Sequence, residues 1–462
     1  MGRCVSLIAL SLAAFLSVSA GVKETVKWQT EIDRRSAAGG GEVTVPAGRH
    51  LVGTLFLKNG VTLKLEKGCV IEGSTDPADY PGIRLQYAEV PEPWQALIAS
   101  VAQTNVAVVG EGTVYGHGHG FPLGARVGRP RGMLFYRCRD VRVEGIRLFE
   151  LASWTCYYKE CDGVVHRNVR VENYGNYNTD GVDIDSRNVL VEGCDFECED
   201  DAVVLKSDNP DFICENVEVR NCRAGTECNL FKLGTASHGG FRNINVHDCT
   251  GGRSHFRFNH PDWPGEEGLS WREYNWPGSP KEPTPLGGIV IECVDGGLVE
   301  NITFRNLRID HCSVPIFIRG GQRRLRTYGG TRLKLDIPFG RYSTLRNVTI
   351  ENVRAKALSF TSSSITGVPG MRLQNIVLRN LDFEVPGAGE TGRAELGKPV
   401  PEKENDYPES CMFDSRMLPS YGFFIRHVDG VTLENVRVRP VGQEERECVM
   451  TEDVTGLKGN VK

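Results

Sequence analysis

No stretch beyond the first 20 residues reaches 18 consecutive apolar residues, so a membrane-spanning helix is not expected. Basic charge is not in excess: 54 Lys and Arg face 59 Asp and Glu, for a net charge of −5, which argues against a broad nucleic-acid face. The 53 glycines follow no period of three, which excludes a collagen triple helix. None of the 15 cysteines forms a paired C-x-x-C spacing, so no zinc or other metal is expected. No helical apolar period alternates with the strand-like segments, which argues against β-α-β units. With 40% hydrophobic and 24% charged residues, the chain is not disordered either.

The first 20 residues form a separate object. Arg3 is their only charge, Leu7 to Val18 is an apolar run, and Ser17-Val18-Ser19-Ala20 offers small residues for cleavage. This pattern predicts a secretory signal peptide cleaved after Ala20, and a mature protein that is secreted or periplasmic.

One phrase recurs along the remainder. It reads Asn168-Val-Arg-Val-Glu, Asn188-Val-Leu-Val-Glu, Asn216-Val-Glu-Val-Arg, Asn243-Ile-Asn-Val-His and Asn347-Val-Thr-Ile-Glu, with related copies from Asn59 to Gly430. Apolar and polar residues alternate with period two, the mark of a half-buried strand. Many copies lie 20 to 30 residues apart, too far for hairpins and suited to one turn of a solenoid. The expected fold is all-β: a single-stranded right-handed parallel β-helix, one domain over residues 21–462, with apolar side chains stacked inward. The Asn opening many units would sit at a bend, its amide bonded to the backbone or to the equivalent amide of the next coil.

An exported chain with 14 cysteines after signal removal invites a disulfide reading. Yet Cys194, Cys222 and Cys249 recur in phase, and Cys161 and Cys312 occupy similar positions. Same-phase residues in stacked coils form an inward ladder, so buried free thiols are expected. Cys194 with Cys198, and Cys411 with Cys448, are the exceptions to consider.

Two acidic clusters carry the chemistry. Asn178-Thr179-Asp180 opens one, and Asp200-Asp201 lies about one coil later, Asp180 and Asp201 being 21 residues apart. One coil advances the chain about 4.8 Å, so these carboxylates would crowd one groove. Crowding raises one pKa and leaves others ionised, the acid-plus-base arrangement of glycoside hydrolysis. Calcium binding or solvated acidic turns are the alternatives.

These motifs resemble glycoside hydrolase family 28, the polygalacturonases. The segments Gly39-Gly40-Gly41-Glu42-Val43-Thr44-Val45-Pro46-Ala47-Gly48 and Gly112-Thr113-Val114-Tyr115-Gly116-His117-Gly118 are similar to early parts of that family. Tyr421-Gly422-Phe423-Phe424-Ile425-Arg426-His427 is similar to bacterial members. The resemblance implies a pectate-lyase-like solenoid and a single-displacement, inverting hydrolysis without a cofactor. It implies Asp200 as general acid, with Asp180 and Asp201 holding and deprotonating the attacking water.

Two family motifs are missing. The expected Gly-His-Gly aligns with Asn229, and the nearby His238 falls in the following turn. The expected Arg-Ile-Lys, which grips a sugar carboxylate, aligns with Val290-Ile291-Glu292. A neutral sugar such as rhamnose would explain this, as would a cation supplied by Arg319, Arg323 or Arg324. Candidate substrate contacts are therefore Asn178, Lys206, Asn229, His238, Glu292 and Arg319. An insertion at about 251–285, with Arg253, His255, Arg257, His260, Trp263, Trp271, Tyr274 and Trp276, is expected as a loop beside the groove. A second loop at 386–417 would cover the groove and favour chain ends.

The leading reading is a monomeric secreted glycosidase acting on pectic polysaccharide, through a galacturonide or rhamnogalacturonan-type linkage. A β-helix polysaccharide lyase and a non-catalytic carbohydrate-binding β-helix are the alternatives.

Overall fold

The structure is a computed structural model that describes residues 23–87, 93–125, 128–256, 260–262, 283–323, 326–328, 331–333, 342–394, 396–410, 412–413 and 417–462. The signal peptide at 1–20, Arg324, Cys411, and Arg257, Trp263, Trp271, Tyr274 and Trp276 of the insertion lie outside the described residues.

The chain is a right-handed parallel β-helix. Its strands join one sheet in which each strand pairs in parallel with the strand one coil away. A short antiparallel hairpin, Arg326–Tyr328 with Thr331–Leu333, stands apart from it. Alternation in the repeat phrase sends every second side chain inward. Val106, Val141, Val164, Val189, Val217, Ile244, Ile302, Val348, Ile376 and Val431 occupy successive positions of one inward column, each at most 3% exposed. Burying each such side chain contributes about 1.5–3 kcal/mol. The resulting core is contiguous from Trp28 to Val438.

The Asn of the phrase takes a left-handed backbone, with φ between 53° and 57° at Asn188, Asn216, Asn243, Asn301, Asn347 and Asn375. Only Gly, Asn and Asp adopt this region at little cost. Each amide then donates to the same residue of the preceding coil: Asn216 to Asn188 at 3.0 Å, Asn243 to Asn216 at 3.1 Å, Asn301 to Asn243 at 3.2 Å and Asn347 to Asn301 at 3.2 Å. The row ends on a carboxylate, Asp162, which accepts from Asn188 at 2.7 Å. A second row runs through Asp248, Asn306, Asn352, Asn380 and Asn435.

Every described cysteine is a free thiol, and all but Cys448 are buried. Cys194, Cys222 and Cys249 stack as expected from their phase, the Cys222 amide donating to Cys249 Sγ at 3.4 Å.

One element has no counterpart in the repeat pattern. Helix Lys23–Ala37 buries Thr25, Trp28 and Ile32 against the first coil. Gln29 imitates a strand there: its Oε1 accepts from Phe56 N at 2.8 Å and its Nε2 donates to Phe56 O at 3.0 Å. The helix thereby covers the open end of the core.

The amide row predicts a graded stability series. Asn243→Ala places a Cβ-bearing residue in the left-handed region and removes two amide bonds, for a loss of about 2–3 kcal/mol. Asn243→Gly keeps the backbone conformation at ease and loses only about 1 kcal/mol. Chemical denaturation of the two variants should rank them in that order.

Candidate active site

The carboxylates sit on one outward row of the sheet. Val182 pairs with Val203 and Val203 with Phe231, which aligns Asp180, Asp201 and Asn229 on adjacent coils. Backbone bonds extend this alignment, Gly181 N donating to Asp201 O at 2.9 Å and Ala202 N to Asn229 O at 2.8 Å. Asp180 and Asp201 thus neighbour one another as their spacing implies, and Asn229 occupies the position one coil further.

Each carboxylate has its own surroundings. Asp201 is 4% exposed. Its Oδ1 accepts from the Asn229 side chain at 2.7 Å, and its Oδ2 lies 3.2 Å from Lys232 Nζ. Burial pushes its pKa up, but the Lys232 and Lys206 ammonium groups outweigh burial and hold it at about 2. Asp180 is 3% exposed, with Lys206 Nζ at 3.5 Å. Burial, followed by repulsion from Asp183 and Asp200, lifts it well above the usual carboxylate range. Asp183, fully buried and 3.2 Å from Lys206 Nζ, is pushed up to about 7 by burial, with Lys206 opposing. The row therefore places an Asp180 whose acidity is weakened beside an Asp201 whose acidity is strengthened.

Asp200 is the most exposed of the three, at 9%. Its Oδ2 accepts from Asn178 Nδ2 at 3.3 Å, and its Oδ1 from the Asp201 amide at 2.8 Å. The Asn178 amide is itself oriented by Arg129, whose guanidinium donates to Asn178 Oδ1 at 3.2 Å, to Asn176 Oδ1 at 3.2 Å and to Ala152 O at 3.1 Å. With its oxygen taken by Arg129, Asn178 can present only its NH2 to Asp200. Asp200, Asp201 and Cys228 bring possible metal-ligand atoms within 4.8 Å of one another. Both oxygens of Asp201 are already engaged by Asn229 and Lys232, so a cation there would compete with an ammonium group.

Lys206 Nζ lies 4.3 Å from the centre of the Trp154 ring, a cation–π contact that fixes its head beside Asp180. Glu292 joins the group through Lys232, 3.6 Å away, and accepts from Thr235 Oγ1 at 2.6 Å. Burial pushes Glu292 up to about 8, with Lys232 opposing.

Two candidates lie apart. The terminal nitrogens of Arg319 donate to Thr366 Oγ1 at 3.1 Å, Gly367 O at 3.0 Å, Glu402 O at 2.6 Å and Lys403 O at 3.1 Å. Arg319 thus anchors the loop that runs over it. His238 is buried in the turn beyond strand Asn229–Ser237, its Nδ1 3.8 Å from Asp295, a carboxylate that Arg323 grips at 2.9 and 2.7 Å.

The outward face is roofed on both sides of the carboxylates. On one side Ile83, Trp94, Leu134, Trp154 and Tyr157 form an apolar cluster. On the other, Val400, Met412, Phe413 and Leu418 pack on Val290, Phe317 and Phe424. The second roof is the 386–417 loop, also tied down by Arg426, which donates to Val400 O at 2.8 Å and Pro401 O at 3.0 Å. It brings Tyr407 to Thr235 at 2.9 Å and Glu409 to within 4.0 Å of Lys232. Of the 251–285 insertion, His260 packs inward, its Nε2 3.0 Å from Phe121 O.

Sequence reasoning missed Lys232, Asp183 and Arg129. Lys232 carried a signal, a cation inside the apolar run Leu230-Phe231-Lys232-Leu233 where only a partner could justify burial. Arg129 carried none, since its loop has no repeat phase.

Residues 36–257, which include both acidic motifs, match the model for glycosyl hydrolases family 28, as their motifs imply. A probable polygalacturonase of Vitis vinifera is 27% identical over 199 residues, covering 38% of this chain and 39% of that protein. This chain thus spans well under half the length of that curated relative. The family 28 exopolygalacturonase of Yersinia enterocolitica has a TM-score of 0.65 at 17% identity, over 96% of this chain and 77% of that one. The hyperthermoactive exopolygalacturonase of Thermotoga maritima gives 0.59 at 20%, over 78% and 83%. The polygalacturonase of Erwinia carotovora gives 0.56 at 15%, over 95% and 93%. These structures share the fold.

Two outcomes follow from the site's electrostatics. Asp183 (about 7) and Glu292 (about 8) keep protons that an unfolded chain releases near 3.8 and 4.5. Their stabilising contribution is complete below about pH 4 and is lost as pH rises to about 8. Asp201, at about 2, acts in reverse, its contribution disappearing as pH falls from about 4 to about 2. The melting temperature should therefore decline from pH 4 to 8, and Asp183→Asn or Glu292→Gln should flatten that decline. Lys232→Met leaves Asp201 buried without its ammonium partner and should cost about 3–5 kcal/mol in denaturant unfolding.

Proposed function

We propose that this chain hydrolyses a glycosidic bond of pectic polysaccharide, inverting the anomeric carbon in one displacement. The observation that carries this reading is the in-register pair Asp180 and Asp201, which share one row with their acidities pushed in opposite directions by their surroundings. The ionised Asp201 is the base that takes a proton from the attacking water. Asp180, one coil away on the same row, orients the same water. Asp200, the most exposed carboxyl of the three, donates a proton to the glycosidic oxygen as the bond from that oxygen to the anomeric carbon breaks and the water oxygen bonds to that carbon.

The substrate is a chain end. The carboxylates lie between two apolar roofs on the same face, and no residue of the catalytic row is more than 9% exposed. This supports release of terminal sugars, the action named for the Yersinia and Thermotoga relatives.

At the position where the family grips a carboxylate, Val290 lies under the loop, Glu292 is occupied by Thr235 and Lys232, and Arg319 is spent on loop carbonyls. This supports a neutral sugar such as rhamnose there, and hence a rhamnogalacturonan-type linkage. A galacturonide is the second reading, favoured by Lys206, a cation beside Asp180 that could meet a sugar carboxylate. Export through a signal peptide and action as a single-domain monomer complete the proposal.

Incubation of the purified protein with separated pectic fractions, with identification of each released sugar, tests both readings. Saturated reducing ends with inverted configuration by NMR are expected. Unsaturated, ultraviolet-absorbing ends would show a lyase, and no product would show a binding protein. Asp200→Asn should lower turnover by on the order of 10²–10⁴ while the melting temperature stays close to the parent's.

A further inference from the structure

A second groove runs along the outward face of another strand row, and its strand Arg223–Thr226 adjoins the coil that carries Asp200. It measures about 910 Å³ and is lined by the ends of strands Arg223–Thr226, Gly240–Gly252, Leu298–Cys312, Thr344–Ala357 and Leu373–Pro386. Register places Arg223, Thr250, Arg308, Arg354 and Asp382 on successive coils of one outward column. Thr250 and Gly252 are small and leave the floor between Arg223 and Arg308 low.

The lining is cationic on a chain of net charge −5. Arg223 is held by Asp195 at 2.8 Å and by Glu197, both outside the lining; the remaining Arg253, Arg308, Arg354, Lys356 and Arg439 outnumber Asp310, Asp382 and Glu384, a net of +2 from five positive and three negative groups with His neutral. Arg308 is 70% exposed, and Arg354 is exposed with no ion pair among the described residues. Cations on adjacent coils stand about 4.8 Å apart along the axis. The interspersed carboxylates are hydrogen-bond acceptors set beside the cations, pairing with Arg308 at 2.7 Å, Lys356 at 3.4 Å and Arg439 at 3.3 Å.

We propose that this groove binds an acidic polysaccharide whose uronate chain lies along the solenoid axis, its carboxylates on Arg308 and Arg354 and its hydroxyls on Asp310 and Asp382. Alternating donors and acceptors suit a polyhydroxylated uronate chain. Closely spaced phosphates would meet three carboxylates here, which disfavours nucleic acid. The groove performs no chemistry. It would hold a polymer on the enzyme while the carboxylate row works on an end, and it would bind whether or not hydrolysis occurs. The contacts are exposed ion pairs, each worth about 0.2–1 kcal/mol, so binding is multivalent and salt-sensitive.

The test is affinity electrophoresis of the full chain, in the Asp200→Asn background, through gels containing polygalacturonate, fully methyl-esterified pectin or neutral arabinan. Polygalacturonate should retard the protein, the other two should not, and raised salt should release it. Arg308→Glu with Arg354→Glu should weaken retention about tenfold or more, and Arg354→Gln less. Asp382→Asn should strengthen it. The same charge reversals, made without the Asp200 change, should leave cleavage of short oligosaccharides unchanged. Undiminished retention of the double reversal, equal retention by arabinan, or stronger retention by duplex DNA would overturn the proposal. Retention without cleavage of any pectic fraction would sink the hydrolase reading and leave the groove standing.

Discussion

The molecule depends on parallel register between coils. Once residues one coil apart are held about 4.8 Å apart, every chemical property of the chain becomes a column. Apolar columns make the core, amide columns mark the bends, and carboxylate columns make the candidate site. The register is itself held by backbone bonds, and the asparagine rows keep its phase: a left-handed bend at each Asn turns the chain at the same angle in every coil. A slip of one residue would turn the inward valines outward.

The candidate site turns this regularity to chemistry by concentrating charge that no isolated turn would tolerate. Asp180, Asp183, Asp200 and Asp201 are compatible with one fold only because Lys206 and Lys232 stand among them. The two ammonium groups are not equivalent. Lys232 contacts both Asp201 and Glu292, whereas Lys206 contacts Asp180 and Asp183. Asp180 is raised by burial and by the carboxylates Asp183 and Asp200, whereas Asp201 is held down by Lys232 and Lys206.

The solenoid was legible in the sequence because it repeats. Asn, alternation and spacing recur often enough to name the fold and to place Asp180 beside Asp201 before any coordinate is known. What lacks repetition was not legible. Helix Lys23–Ala37 occurs once and signals only through Thr25, Trp28 and Ile32. Arg319 reads as a free cation one coil beyond Glu292, yet it is tied to carbonyls of a loop some 80 residues later in the chain. Local pattern does not encode where a long loop returns. Arg129, which sets the orientation of Asn178, belongs to the same class.

The helix over the first coil has a consequence for how the chain assembles. Synthesis delivers the amino-terminal end first. By burying Trp28 and Ile32 and pairing Gln29 with Phe56, that end closes one mouth of the core as soon as the first coil exists. From then on the nascent solenoid has a single live edge, and each arriving coil finds one template and one direction of growth. In the folded solenoid, the sheet edge able to recruit another strand is thereby confined to the far end, at Glu447–Val461.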